Sequence, residues 1–232
     1  MNEKINKLVD ALSKRFVAHP WHGIEVGEKQ PEIINAFIEI IPSDAIKYEV
    51  DKESGYIMVD RPQKFSNHMP CMYGFVPKTY CDKEVAEFCA EKTGKSDIVG
   101  DGDPLDICVL TERNVGRGNI IAEAIPVGGF RMIDGGEADD KIIAVLKGDQ
   151  AYGDIKDLTE LPTMVVDRVK HFFLTYKDLE GNAKNVEITH TYGAEEAKEV
   201  IKRSMNDYNS NFSDVNKELA ESLAAFLAKE AL

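Results

Sequence analysis

Apolar and polar positions change period several times along the 232 residues. Ile5, Leu8, Val9, Leu12 and Phe16 recur at helical spacing, which predicts an amphipathic helix over residues 3–16. Ala18 to Pro31 has no period and reads as an irregular arm. Within it, His19 and His22 beside Trp21 read as packing groups before metal ligands. From Glu32 the period shortens. Ile33 to Ile41 is a strongly apolar strand with one charge inside it, Glu39, which is costly to bury unless paired, hydrogen-bonded or on a metal. Ile46 to Val50 alternates strictly, with Lys47 and Glu49 on one face. Asp51 to Gly55 then predicts a hairpin turn into Tyr56 to Val59, which ends in Asp60-Arg61-Pro62. A short strand lies between Pro70 and Pro77, and residues 80–100 form a long polar connection with a short helix around Val85, Phe88 and Cys89. Three more apolar runs follow, Ile107 to Leu110, Ile120 to Val127 and Ile142 to Leu146. Helical spacing returns at Leu161 to Tyr176 and in two trailing segments, 193–205 and 213–231. Strands first and helices afterwards predict an α+β fold.

Chemistry concentrates in Asp101-Gly102-Asp103-Pro104-Leu105-Asp106, three carboxylates within six residues at the mouth of the Ile107 strand. Gly102 lets the backbone turn tightly, and Pro104 holds Asp103 extended. Crowded anions favour a hard divalent cation with oxygen ligands, although a solvated acidic turn fits the same residues. An EF-hand loop fails at its centre, where Leu105 takes a ligand position and Asp106 stands where glycine is needed. Gly94-Lys95-Ser96 lacks the earlier glycine and the strand of a P-loop. A second acidic knot, Asp134, Glu137, Asp139 and Asp140, precedes Lys141 and another strand.

Composition narrows the partners. A formal net charge of -13 disfavours nucleic acid and anionic membranes. An anionic substrate would then need metal ions or a local basic cluster. Four cysteines form no CxxC pair, and charges interrupt the N-terminus too often for a signal peptide or span, so a cytoplasmic setting with reduced thiols is expected. Carboxylates that gather Mg²⁺, with a few Lys, Arg and Tyr for phosphoryl oxygens, are an arrangement for phosphoryl hydrolysis by direct attack of water.

The acidic stretch also resembles the signature of the soluble family I inorganic pyrophosphatases, acidic-Gly-Asp-Pro-apolar-Asp. The likeness runs from about Glu39 to Lys184 and takes in Ile46-Lys47-Tyr48-Glu49, Val59-Asp60-Arg61, Pro70-Cys71-Met72-Tyr73-Gly74, Asp134 with Asp139 and Lys141, and His171-Phe172-Phe173 before Tyr176-Lys177. It implies a small closed OB-like β-barrel with helices packed outside. One domain would span residues 1–232, with an N-terminal helix and arm (1–31), an insert (80–100) and a C-terminal helix (206–232). The resemblance implies Mg²⁺-dependent hydrolysis of pyrophosphate to two phosphates by a metal-activated water. Several Mg²⁺ ions would bind per site, with Mn²⁺ or Zn²⁺ as substitutes. Asp101, Asp106 and Asp139 would hold the first ion, and Glu39 and Asp134, with Asp139, those arriving with substrate. Asp103 would be the general base. Lys47, Arg61, Tyr73, Lys141, Tyr176 and Lys177 would hold pyrophosphate oxygens, and Glu49 would orient Lys47 or a water. A homo-oligomer is implied. Departures are Met69, where many bacterial members carry tyrosine, and Gly135, where an acid is common. The rival readings are a Mg²⁺ phosphohydrolase acting on nucleotides and a non-catalytic OB-like binding module.

Overall fold

A computed structural model describes residues 16–177 and 186–229. The helix expected over residues 3–16 therefore falls outside the described residues except for Phe16. Ten strands and three α-helices make up the described fold: β1 Ile34–Ile40, β2 Ile46–Val50, β3 Ile57–Pro62, β4 Met72–Phe75, α1 Lys83–Thr93, β5 Val99–Gly100, β6 Asp106–Leu110, β7 Ile120–Asp134, β8 Glu137–Ala138, β9 Lys141–Leu146, α2 Thr163–Thr175, β10 Val186–Gly193 and α3 Ala194–Lys229. β1, β4, β6, β9 and β7 pair in that order, and β7 pairs back to β1, so five strands close a ring. β2 and β3 form a separate hairpin.

Both faces of the central strands are covered, which is why they read as unbroken apolar runs. Alternation sends Ile107, Val109, Ile142 and Ala144 to one cluster, shared with Val85 and Phe88 of α1 and Val200 and Ile201 of α3. Cys108, Leu110, Ile143 and Val145 face the other cluster, shared with Val169, Phe172 and Phe173 of α2.

Three elements differ from the sequence expectation. The apolar run Ile120 to Val127 does not stop at Gly128-Gly129 but continues as one strand of 15 residues. A Cβ on Gly128 would lie 2.3 Å from the Tyr192 carbonyl oxygen, and one on Gly129 would lie 2.5 Å from the Tyr192 ring. Here glycine serves close approach of β10, not a turn. β10, absent from the sequence reading, pairs along the second half of β7. The two trailing helices are one helix of 36 residues. The polar run from Asn206 to Asn211 looks like a break, yet Asn206, Asp207, Tyr208 and Asn211 have partners. Buried Asp207 accepts the amides of Asp82, Glu84 and Val85 at 3.0–3.1 Å and so caps α1, whose own first residues offer no side-chain cap. Tyr208 and Phe212 pack on Trp21 of the arm, where His22 stacks on Trp21 and meets the Tyr208 hydroxyl at 2.9 Å. The arm histidine is a packing group.

Candidate active site

Two parallel pairings bring the acidic clusters together. β5 runs beside β8 with Val99 opposite Glu137 and Gly100 opposite Ala138, so the next residues, Asp101 and Asp139, leave the sheet at one edge. β6 runs beside β9 with Asp106 opposite Lys141. Parallel strands expose like ends together, and that converts distant sequence motifs into one site. The connection over residues 80–100 therefore ends at the acidic cluster: it delivers β5, and Asp101 directly after it.

Lys141 is buried, and its ammonium bridges the carboxylates of Asp106 and Asp139. Asp106 also accepts a hydrogen bond of 2.6 Å from the Tyr73 hydroxyl. Burial opposes the ammonium charge, but Asp106 and Asp139 hold Lys141 well above the usual lysine range. Burial drives the Asp106 carboxyl up and, with the Asp106 charge, the Tyr73 phenol well up. Asp101 is pushed up to about 9, first by burial and then by the charge of Asp139. Its Oδ1 accepts the Asp103 amide at 2.9 Å. The next fixed point is Leu105, fully buried, whose amide donates to Thr79 Oγ1 at 2.9 Å. Between these anchors Asp103 keeps its carboxylate 47% exposed and pairs with Lys52 from the β2–β3 turn. Glu39 is buried on β1, and burial raises it to about 8 although the Val50 amide donates to it at 2.7 Å.

Two adjoining hollows make the cleft. One, of about 100 Å³, is lined by Glu39, Glu49, Asp103 and Asp106 together with Lys47 and Tyr73. The other, of about 40 Å³, is lined by Lys47, Arg61, Tyr73, Lys141 and Tyr176, with Met69 as an apolar wall. Lys47 and Tyr73 border both, so an acidic half meets a cationic half. Lys47 donates to Glu49 at 2.9 Å and Asp60 at 2.7 Å, and these bonds outweigh burial to hold it above the ordinary lysine range. Arg61 also pairs with Asp60, at 2.6 Å. Asp101, Asp134, Asp139 and Lys177 line neither hollow. Asp134 and Lys177 form their own pair at 2.5 Å, beside the Tyr176 ring. Gly135 has a local reason: it and Gly136 form the two-residue hairpin between β7 and β8 at φ of 62° and 96°, where an acidic residue would be strained.

Sequence reasoning missed Asp60 as the partner of Lys47, Lys52 against Asp103, and the buried pair Arg131–Asp140. The signal available for Asp140 was alternation: flanked by Asp139 and Lys141 in extended chain, it must face away from them.

The carboxylates suit a hard cation. The donors are oxygens, without the Cys or His that zinc favours. Among the described residues no three potential ligands close on one point as a ready cage. Mg²⁺ needs none, because it keeps several waters and binds through one or two carboxylates plus substrate phosphate. Asp106 with Asp139, Asp101 and Glu39 meet that requirement. The raised carboxyls of Asp101 and Glu39 are those whose charged forms a cation would favour.

Comparison with known proteins agrees. The profile of the inorganic pyrophosphatase family matches residues 36–209. The inorganic pyrophosphatase of Chlamydia trachomatis serovar L2 is 48% identical over 201 residues, 84% of this chain and 96% of its own. The soluble inorganic pyrophosphatase of Oryza sativa subsp. indica is 37% identical over 210 residues, 90% of this chain and 87% of its own. Among solved structures, that of the Thermus thermophilus inorganic pyrophosphatase superposes with a TM-score of 0.70 at 30% identity, covering 83% of this chain and 99% of that one. Its Helicobacter pylori counterpart gives 0.66 at 34% identity, covering 80% and 98%. No helix among the described residues is long and apolar enough to cross a membrane. With paired acidic and cationic half-sites and this similarity along most of its length, the chain belongs to the inorganic pyrophosphatase family and hydrolyses pyrophosphate.

Proposed function

We propose that the cleft hydrolyses pyrophosphate by in-line attack of water, with Asp103 as the base that accepts its proton. The support for this role is placement: Asp103 is the exposed carboxylate of its turn, held between the anchored neighbours Asp101 and Leu105. Lys47, Arg61, Tyr73, Lys141 and Tyr176 bind and orient the phosphoryl oxygens from the cationic half, with Lys177 at the rim. Glu49 fixes Lys47 through the 2.9 Å bond. Asp101, Asp106 and Asp139 would hold Mg²⁺, and Glu39 and Asp134 would serve further ions, which would supply charge neutralisation and a more acidic water. Lys52 must leave Asp103 before the base can act, and the anionic substrate gives its ammonium somewhere to go.

The single observation that carries this reading is the bridging of Asp106 and Asp139 by buried Lys141, where Asp106 lines the acidic hollow and Lys141 the cationic one. Phosphate release from pyrophosphate and from ATP, with and without Mg²⁺, is the test. Mg²⁺-dependent release from pyrophosphate is expected, and release from ATP alone would overturn it. Asp103→Asn should lose on the order of 10²-fold in kcat. Near-normal turnover would move proton acceptance to another group.

The five-strand ring is assigned as the OB-like barrel of the family, with α1, α2 and α3 outside it. The insert 80–100 is assigned to the mouth of the site, and the assembly to a cytoplasmic homo-oligomer. Light scattering that gives the mass of one chain would refute the last assignment.

A further inference from the structure

Arg131, on β7, is the largest fully buried side chain among the described residues. Its guanidinium lies 2.9 Å from Asp140 and 2.9 Å from Glu196 at the start of α3. It packs over Phe88 of α1 at 4.9 Å and over Tyr192 of β10 at 5.1 Å. Asp140 is also buried and accepts the Tyr192 hydroxyl at 2.9 Å. Even so, Arg131 Nε and Nη1 and Asp140 Oδ1 make no hydrogen bond. An incompletely bonded buried ion pair is a poor source of stability, since an apolar replacement of equal volume does as well or better. What the pair does supply is a fixed position.

That position matters because of its neighbours. Asp140 is the one residue between Asp139 and Lys141. Alternation in extended chain puts Asp139 and Lys141 on the side of Asp106 and turns Asp140 toward Arg131. We propose that Arg131, acting through Asp140, is a positioning residue that sets the spacing of Asp139 and Lys141, and with it the cation affinity of the resting site and kcat. The inference rests on the reading of Asp139 and Lys141 as site residues. Tyr192 is the second anchor of Asp140, and Phe88 and Glu196 tie the same guanidinium to the insert and to α3. The ion pair thus joins β7, α1 and α3 to the extended segment that carries Asp139 and Lys141.

Two variants separate positioning from stability. Tyr192→Phe removes only the hydroxyl that holds Asp140. The double variant Arg131→Met/Asp140→Leu replaces the buried ion pair by apolar groups, and Glu196, which loses Arg131, keeps Lys92 at 3.5 Å. For each, Tm, kcat and KM for pyrophosphate, and calorimetric affinity of the resting protein for Mn²⁺, are measured. With Tm within a few degrees of the parent, the double variant should lose about tenfold in Mn²⁺ affinity and in kcat. Tyr192→Phe should lose about threefold, by the same anchoring of a ligand's neighbour. KM should move less than twofold, and Arg131→Lys, which keeps the charge but not the fork, should fall between parent and double variant. Folded variants that keep kcat and Mn²⁺ affinity within twofold of the parent overturn the proposal. If the double variant fails to fold, that result in Tyr192→Phe alone overturns it. Asp139→Asn is the control: unchanged Mn²⁺ affinity and kcat there sink the assignment of Asp139, and the inference with it.

Discussion

At the scale of single residues, Lys141 stands between two carboxylates that would otherwise face each other. Its ammonium holds Asp106 and Asp139 together, and it also lines the cationic hollow. Lys141→Met should therefore be destabilising without metal, on the order of 2 kcal/mol, because it leaves two half-buried carboxylates facing each other without their cation. Mg²⁺ should restore part of that loss, since a divalent cation between the carboxylates replaces the lost charge. Melts with and without Mg²⁺ give the answer, and a deficit unchanged by Mg²⁺ would mean that the carboxylates do not share an ion. Burial raises the carboxyls of Glu39 and Asp101, by contrast, to about 8 and about 9. A cation beside them would favour their charged forms.

At the scale of elements, caps borrowed from distant helices decide much of the local structure. Asp207 replaces a missing local cap on α1, and its loss in Asp207→Ala should cost about 1–2 kcal/mol. Calorimetry should show that as a Tm lower by roughly 2–8 °C, while an unchanged Tm would place α1 under other control. Asp157 caps in two directions, accepting the amide of Ala194 at 2.8 Å and that of Thr159 at 3.1 Å. Those amides hold its carboxyl below the usual range. A depressed native value gives stability that is present above the unfolded value of about 3.9 and disappears as pH falls through the native one. The difference in stability between the parent and Asp157→Ala should accordingly shrink as pH falls below about 4. A gap independent of pH would assign the effect to packing instead. The strands β1, β2, β6 and β9 were legible because apolar runs and strict alternation encode burial directly. β10 and the continuity of α3 were not, since both depend on partners far along the chain: the glycines of β7 for one, the Asp82 and Val85 amides for the other. In the site, the acid motifs were visible by spacing, but Asp60 and Lys52 acquire meaning only where the β2–β3 hairpin folds onto the cleft.

At the scale of the whole molecule, a net charge of -13 and a carboxylate-lined cleft lead to the prediction that cations raise folding stability. An ion that binds the native site at about a hundredfold above its Kd stabilises by roughly 2.7 kcal/mol. Tm should rise with Mg²⁺ and fall on chelation, saturating where activity saturates. If Tm is indifferent to Mg²⁺ over that range, the ion does not bind the resting site. The short ladder between β5 and β8 has a consequence for changes of chain length. Upstream of Val99, around Gly94 to Asp97, residues can be gained or lost without moving Asp101, because Val99 and Gly100 stay opposite Glu137 and Ala138. One residue added after Gly100 has no such latitude: alternation would turn Asp101 to the opposite face. The connection is thus elastic on its outer side and counted to the residue on its inner side.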